Sequence, residues 1–302
     1  MNAAGLSSKF KSFDKLLTDI SPQIFFIQES KMKTPGRIKT NMSKNYVIYE
    51  LTRKNKAGGG LAIGVIKELP SVWIDEGSNE VEYLTVEVNI DEFRIRCVTA
   101  YGPQEGDNVE RKQSFWEKLT SEVENSTLAE AGFILQMDGN LKAGPQIIPN
   151  DPHSMNNNGK LFKQFLDKNS HLTVVNSLDI CSVLITRRRQ TIHKLEESVL
   201  DFFVVCDRVL SYVKKLTIDE ERKFVVTNYN KVDGKIVAID SYHNTGILEL
   251  DISYPTCKPK RVEMFNLKNS EDQERFRAVT PNSNKLSSCL KSDNIFEKQA
   301  SN

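Results

Sequence analysis

Asp138 and Asn140 stand two apart at the end of an apolar run, Phe133-Ile134-Leu135-Gln136-Met137. With Gly132 ahead of it, the run reads as a short buried strand. Side chains two apart on a strand point to one side. Asp138 and Asn140 therefore emerge together at a strand's carboxyl end, where α/β folds gather ligands and chemistry. An Asp-Gly-Asn turn that only ends the strand is the plainer alternative, since all three residue types favour turns. The pattern recurs along the chain. The apolar run Ile24-Phe25-Phe26-Ile27 ends in Gln28-Glu29-Ser30, and the run 93–100 ends at Tyr101-Gly102-Pro103. Leu200-Asp201-Phe202-Phe203-Val204-Val205 sets one carboxylate into an otherwise apolar strand. Ser241-Tyr242-His243-Asn244 lies between two further apolar runs. Glu29, Asp138, Asn140 and Asp201 are oxygen donors on separate strands. Hard oxygen ligands without cysteine or clustered histidine suit Mg²⁺, or alternatively Mn²⁺, rather than zinc. His243 could act as general base or acid, and Tyr101 could donate to a phosphate oxygen. Together they suit phosphoester hydrolysis. Each has a plainer role when taken alone: a solvated strand end, a carboxylate bonded to backbone, a packing tyrosine, a structural histidine.

The elements that must position these groups can be read in order. Phe10, Phe13, Leu16, Leu17 and Ile20 repeat at helical spacing after Ser7 or Ser8 as cap, and Ser21-Pro22 ends that helix. A basic irregular stretch, 31–44, follows the first strand. Strands are predicted at 46–49, 61–66, 81–90 and 93–100, with a Gly58-Gly59-Gly60 turn before the second of them. Phe115, Trp116, Leu119 and Val123 mark an amphipathic helix. Asn156-Asn157-Asn158-Gly159 leads into another, carrying Leu161, Phe162, Phe165 and Leu166. Runs at 172–175, 200–205, 236–239 and 247–252 read as strands. The runs 183–186 and 191–193 pair as a hairpin with Arg187, Arg188 and Arg189 at its tip. A short helix is expected over 263–278, and the polar residues from Pro281 onward are expected to be mobile. The strands cluster and do not alternate with helices. An α/β architecture of two packed sheets with helices outside fits better than a doubly wound fold.

The 302 residues carry 41 basic and 40 acidic side chains, a formal charge of +1. That balance does not announce nucleic-acid binding, so a phosphate-facing surface must come from local patches. Five cysteines, Cys97, Cys181, Cys206, Cys257 and Cys289, form no Cys-x-x-Cys pair. Neither a zinc framework nor a disulfide scaffold is indicated, and a reducing compartment is expected. No apolar run approaches the ~20 residues of a membrane span, and no signal peptide is visible. A soluble, intracellular protein is expected.

The motifs in order are Asn2-x-x-Gly5-Leu6, Ile27-Gln28-Glu29, Tyr101-Gly102-Pro103, Asp138-Gly139-Asn140, Asn158-Gly159, Leu200-Asp201-Phe202-Phe203 and Ser241-Tyr242-His243. This order resembles the endonuclease/exonuclease/phosphatase superfamily, from the first residues to about Asp251. It is most similar to the apurinic-type endonuclease domains of non-LTR retrotransposons. Phe265-Asn266-Leu267-Lys268, with Phe276 and Thr280, resembles the connector between endonuclease and reverse transcriptase in such elements. The resemblance implies a four-layer α/β sandwich over 1–255, with a polar connector and tail over 256–302. It implies that Glu29 binds the divalent metal with Asn2 nearby. Asp138 would orient or deprotonate the attacking water, and Asn140 would help hold the phosphate. Tyr101 and Asn158 would contact the phosphate, Asp201 would be a further active-site carboxylate close either to the metal or to His243, and His243 would stabilise charge on the phosphate oxygens. The implied product is a nicked DNA strand with a 3′-hydroxyl, made in the nucleus, with the reverse transcriptase domain absent from this chain.

Departures from the pattern carry expectations of their own. The family begins with a strand leading into its Asn, whereas here Met1-Asn2 stand first. One sheet should then lack a central member, and Asn2 should be loosely held. The family's Ser-Asp-His is Ser241-Tyr242-His243, which removes a carboxylate beside the histidine; Tyr242 is therefore read as a lesion, with Asp240 as a substitute. Two other readings stay open: a phosphomonoesterase of the same fold acting on inositol phosphates or lipids, and a non-catalytic DNA- or protein-binding relic. The three arginines and the basic stretch 31–44 favour a polymeric phosphate backbone.

Overall fold

A helix with one apolar face opens the chain: α1, Phe10–Ile20, buries Phe13, Leu16 and Leu17. Lys9 stands at its N-cap without a side-chain cap, and Ser21 closes it in the left-handed conformation. Six strands follow: β1 (Ile24–Ile27), β2 (Tyr46–Leu51), β3 (Leu61–Ile66), β4 (Ser71–Glu76), β5 (Glu82–Ile90) and β6 (Phe93–Tyr101). Helix α2, Val109–Leu128, starts where the Asn108 side chain accepts the Arg111 amide. The fully buried β7 (Gly132–Asp138) comes next. Helix α3, Asn157–Lys168, is capped by Asn156, which accepts the Gly159 amide. The remainder is β8 (Leu172–Val174), β9 (Arg187–Gln190), β10 (Leu195–Ser198), β11 (Asp201–Cys206), a short α4 (Asp207–Leu210), β12 (Val213–Ile218), β13 (Thr227–Val232), β14 (Lys235–Asp240) and β15 (Gly246–Leu250). The computed structural model describes residues 1–252 except 7–8, 35, 37, 39–43, 54–58, 79, 191–193, 224–226 and 233–234, and leaves the side chains of 224–240 undescribed. The cap expected at Ser7 or Ser8, Gly58, much of the stretch 31–44, the helix over 263–278, the connector motif and the tail lie outside the described residues.

The main sheet has the order β4-β5-β6-β7-β11-β8. β6 runs parallel to β7, and β11 pairs antiparallel to β7 on its other side. This register aligns Tyr101 with Asp138 and Asp138 with Asp201. Three candidate site residues thus sit in one row across adjacent strands. The long apolar runs of β6, β7 and β11 fill the centre because only a fully apolar strand can be covered on both faces.

Four layers result, as a sandwich requires. On one face of the main sheet, Leu61, Ile63 and Val65 of β3 share a core with Leu84, Val86, Cys97 and other residues of β5 and β6. On the other side of the β1-β3-β2 sheet, Phe13, Leu16 and Leu17 of α1 pack on Phe25, Tyr46 and Ile48. Phe13 and Phe25 meet edge to face with centroids 5.4 Å apart. Helices α2 and α3 cover the opposite face through Phe115, Trp116, Phe162 and Phe165, with Trp116 stacked on Phe162 at 5.4 Å. The chain is an α/β protein of two packed sheets flanked by helices.

The second sheet layer is divided. β1, β3 and β2 form one group and β12 and β15 another, with no pairing between them among the described strands. An apolar cavity of about 760 Å³ separates them, lined on one side by Ile24 and Phe26 and on the other by Ile247 and Leu248. The expectation that Asn2 is loosely held is corrected. Asn2 is 2% exposed and bridges Gln28 in parallel register. The Ala3 amide donates to Gln28 O at 2.9 Å, and the Gln28 amide to Met1 O at 3.0 Å. Backbone bonding to the end of β1 holds this segment.

The arginine run is also corrected. Arg187, Arg188 and Arg189 do not sit at a hairpin tip; they form β9, which pairs with β10. Their partner is the polar Leu195–Ser198 segment, and the strand expected over 191–193 lies outside the described residues.

Candidate active site

Asp138 is the hub. It ends β7 with 1% exposure, and both carboxylate oxygens are engaged. Asn2 Nδ2 donates to Oδ2 at 2.7 Å, and the Asn140 amide donates to Oδ1 at 3.1 Å. Gly139 lets the chain turn here against Gly102, where any side chain on Gly102 would strike the Gly139 backbone. Asn140 takes a left-handed φ of 47°, which Asn tolerates better than most residues. The Asp-Gly-Asn turn is therefore real, and it serves to aim two polar groups.

His243 lies beside the hub. Its Nδ1 donates to Asp201 Oδ2 at 2.8 Å, leaving Nε2 3.8 Å from Asp138 Oδ2. Ligand atoms of Asp138, Asp201 and His243 all lie within 4.8 Å of one another. The expectation that His243 lacks an orienting carboxylate is corrected by this contact. Asp201 is the carboxylate that fixes the imidazole tautomer and orientation. Tyr242 is 40% exposed and faces away, with the Arg189 guanidinium 5.5 Å from its ring centroid. The side chain of Asp240, the suggested substitute, lies outside those described.

Asp201 is held from several directions. Thr186 Oγ1 accepts its amide at 3.0 Å, Asn176 Nδ2 donates to its carbonyl at 3.2 Å, and Asn176 Oδ1 accepts the Phe203 amide at 2.8 Å. Ser241 Oγ donates to Asn2 O at 2.8 Å and accepts the His243 amide at 3.3 Å, which ties both ends of the site together. Sequence reasoning missed Thr186, Asn176 and Ser241 as supports. Such residues are common everywhere, and only the folded register brings them here.

Glu29 and Tyr101 form the second half. The Tyr101 hydroxyl donates to Glu29 Oε1 at 2.5 Å, and Lys31 Nζ pairs with Oε2 at 3.0 Å. Asn140 Nδ2 donates to Gly102 O at 2.9 Å. Asn158, 1% exposed, donates to Pro103 O at 2.7 Å and to Asn140 O at 3.0 Å. Both its amide hydrogens are committed to backbone carbonyls. It braces the loops carrying Tyr101 and Asn140, so the expected donation to phosphate gives way to a positioning role. Behind these groups, Gln28 Nε2 donates to Thr99 Oγ1 at 2.6 Å and to Gln136 Oε1, which links the two sheets beneath the site.

Protonation follows from this packing. Burial pushes the Asp138 carboxyl up to about 6, reinforced by the charge of Asp201 and opposed by His243 and the Asn2 and Asn140 hydrogen bonds. Burial opposes the imidazolium of His243, but Asp201 and Asp138 outweigh it and raise its pKa. Burial would raise Glu29, yet the Tyr101 hydrogen bond and Lys31 charge leave it lowered. Burial, then the charges of Glu29 and Asp138, hold the Tyr101 phenol well above its ordinary range, so it stays a donor. The signs for Asp138 and His243 agree: each holds its proton more tightly folded than unfolded. Stability contributed by them is present at acid pH and lost as pH rises, for Asp138 between 3.8 and about 6 and for His243 above 6.5. In the presence of chelator, the melting temperature should fall from about pH 5 to about pH 8, and Asp138→Asn should flatten the fall. An equal fall in both proteins would show that the buried carboxyl is not the cause.

The donor set fits a hard divalent cation. It is mostly oxygen, Asp201 Oδ1 is buried without a hydrogen-bond partner, and the Lys31 ammonium already rests as a cation on Glu29. The 2.8 Å His243–Asp201 contact is a hydrogen bond, so those two atoms face each other and not a shared ion.

This architecture and motif placement give the chain the endonuclease/exonuclease/phosphatase fold. Among solved structures it is similar to the endonuclease domain of TRAS1, a telomere-specific non-LTR retrotransposon, at TM-score 0.60 and 15% identity over 83% of this chain and 96% of that one. It is similar to an apurinic endonuclease of Leishmania major at TM-score 0.60 and 18% identity, over 82% and 85%. A 3′ phosphatase from Neisseria, solved with a product DNA hairpin, matches at TM-score 0.59 and 17% identity over 83% and 97%. No protein-family model and no curated protein matches the chain. Among the described residues, no helix is long and apolar enough to cross a membrane.

Proposed function

We propose that the chain is a divalent-metal-dependent phosphodiester hydrolase, a DNA endonuclease that nicks one strand and leaves a 3′-hydroxyl. The observation that carries this reading is the buried array Asp201–His243–Asp138, held in register beside Glu29 and Tyr101. A Mg²⁺ or Mn²⁺ ion at Glu29, with Asn2 close by, would neutralise charge on the phosphate. Asp138 takes the proton of the attacking water, for which a carboxyl near 6 is well matched at neutral pH. Asn2 and Asn140 keep its oxygens aimed. His243, oriented by Asp201, presents Nε2–H to the phosphate oxygens and stabilises their developing charge. Tyr101 and Asn140 flank the same phosphate. The proteins of known structure named above include DNA-processing enzymes of the same fold, which supports DNA as substrate. An active form would work in the nucleus. Supercoiled plasmid incubated with Mg²⁺, with and without chelator, tests this. A phosphomonoesterase would leave the plasmid supercoiled but release phosphate from a small ester, and a binding relic would do neither.

The backbone contact is assigned to Arg187 in particular. Arg188 is paired with Glu197 at 2.6 Å and Glu220 at 3.0 Å, and Arg189 covers Tyr242. Arg187 bridges His243 through the backbone, and its charge reaches that imidazole. Arg187→Ala should lower the slope of log affinity against log salt by about one. Arg188→Ala should leave the slope unchanged, since its charge is already met by two carboxylates. Equal slopes for all three proteins would remove Arg187 from the interface.

A further inference from the structure

Glu29 already holds a lysine ammonium of the protein itself. Lys31 Nζ lies 3.0 Å from Glu29 Oε2, while Tyr101 takes Oε1. The backbone is shaped to produce this contact. Glu29 and Lys31 both have positive φ, 50° and 53°, a conformation that L-residues with side chains avoid. Two flanking segments impose it. The Gly5 and Leu6 amides donate to Glu29 O and Ser30 O at 2.7 and 2.9 Å. On the other side, the Ser30 and Lys31 amides donate to Gly60 O and Gly59 O at 3.0 and 2.8 Å. The lysine stem runs over Gly5, where a Cβ would stand 3.4 Å from Lys31 Cδ. Strain held in place by surrounding hydrogen bonds is the pattern of a functional constraint. A solvated ion pair would need none of it. The lysine is 43% exposed against 19% for the glutamate, so its ammonium can swing outward while the carboxylate stays in place.

We infer that Lys31 is a built-in counter-ion that occupies the cation position on Glu29 and must be displaced before a divalent ion binds there. No bond is made or broken; one cation replaces another on Oε2. Lys31 is thus a positioning residue that sets metal affinity. This rests on the proposed metal-dependent reading of the site. It explains why a lysine two residues from the glutamate belongs to the site and not to the basic loop that follows it.

The test is titration of the chelator-treated protein with Mn²⁺ alone, without DNA, read by calorimetry or by the loss of free-Mn²⁺ paramagnetic signal. Lys31→Met keeps the stem over Gly5 and removes the charge; it should tighten Mn²⁺ binding by about fivefold, the equivalent of a partly exposed ion pair. Lys31→Gln, a second neutral variant, should do the same, and Lys31→Arg should bind no more tightly than wild type. Unchanged Mn²⁺ affinity in both neutral variants would overturn the inference while leaving Glu29 as ligand. Glu29→Gln, measured in parallel, separates the two failures. Loss of Mn²⁺ binding in it supports the site itself, and undiminished binding would remove the metal from Glu29 and the counter-ion role with it.

Discussion

Asp138→Asn and Glu29→Gln are each expected to lower Mg²⁺-dependent nicking by about 10³-fold, the equivalent of losing several kcal/mol of transition-state stabilisation. For Asp138 the reason is position as much as charge. Its two oxygens already accept from Asn2 and Asn140, and Oδ2 lies 3.8 Å from His243 Nε2. An amide at 138 would present an N–H where one of these donors now points, and could not accept a proton from water. For Glu29 the reason is the metal: a neutral amide cannot hold a hard cation as a carboxylate does. The folds of both variants should survive, since Asp138 sits at a strand end and Glu29 is 19% exposed. Circular dichroism and melting checks establish that, and a folded Asp138→Asn that nicks at the wild-type rate would end its role as base.

Asp201→Asn is expected to lower nicking by about 10²–10⁴-fold, the range for removing the group that orients a catalytic imidazole. Tyr242→Asp is expected to change it by less than about threefold, as for an exposed substitution. The contrast matters because sequence pattern pointed to Tyr242 as the damaged position. Asp201 Oδ2 stands 2.8 Å from His243 Nδ1, so the imidazole lacks nothing that a carboxylate at 242 would supply. The amide of Asp201→Asn would accept less well from Nδ1–H and would favour the other tautomer. A large gain from Tyr242→Asp, or full activity in Asp201→Asn, would return the orienting role to the loop.

The site was legible in the sequence where chemistry coincides with the end of an apolar run. Glu29, Tyr101, Asp138 and Asn140 follow such runs, and Asp201 begins one. A buried strand can be recognised there because the runs are short, rich in aromatic and β-branched residues and bounded by turn residues, which favours a strand over a helix segment. The row formed by Tyr101, Asp138 and Asp201 was not legible, since register depends on which strands become neighbours. The orienting partner of His243 was sought at residues 242 and 240 by sequence proximity, and of the two places the resemblance offered Asp201, beside the metal or beside His243, the fold takes the second. The elements missed were the ones with little to bury. β4 exposes Val72, Trp73 and Ile74 along an edge, β10 is Leu-Glu-Glu-Ser, and β12 begins Val-Lys-Lys. Such strands are set by the neighbours they pair with, so their own composition carries little signal. Lys31 was read with the basic stretch after it, because nothing in the local pattern reveals a positive φ.

β1 and β15 line one apolar cavity, and Asn2, Gln28 and Ser241 are held by hydrogen bonds of their own.

The most direct test of metal-dependent DNA nicking is the chemistry of the end it leaves. Supercoiled plasmid is incubated with the protein and Mg²⁺, and the open circles are then offered to a DNA polymerase with labelled nucleotides, without prior phosphatase treatment. The account predicts open circles that form with Mg²⁺, disappear with chelator and with Asp138→Asn, and are extended at once from a 3′-hydroxyl. Open circles that form equally in chelator, or that cannot be extended until a 3′-phosphate is removed, would contradict it.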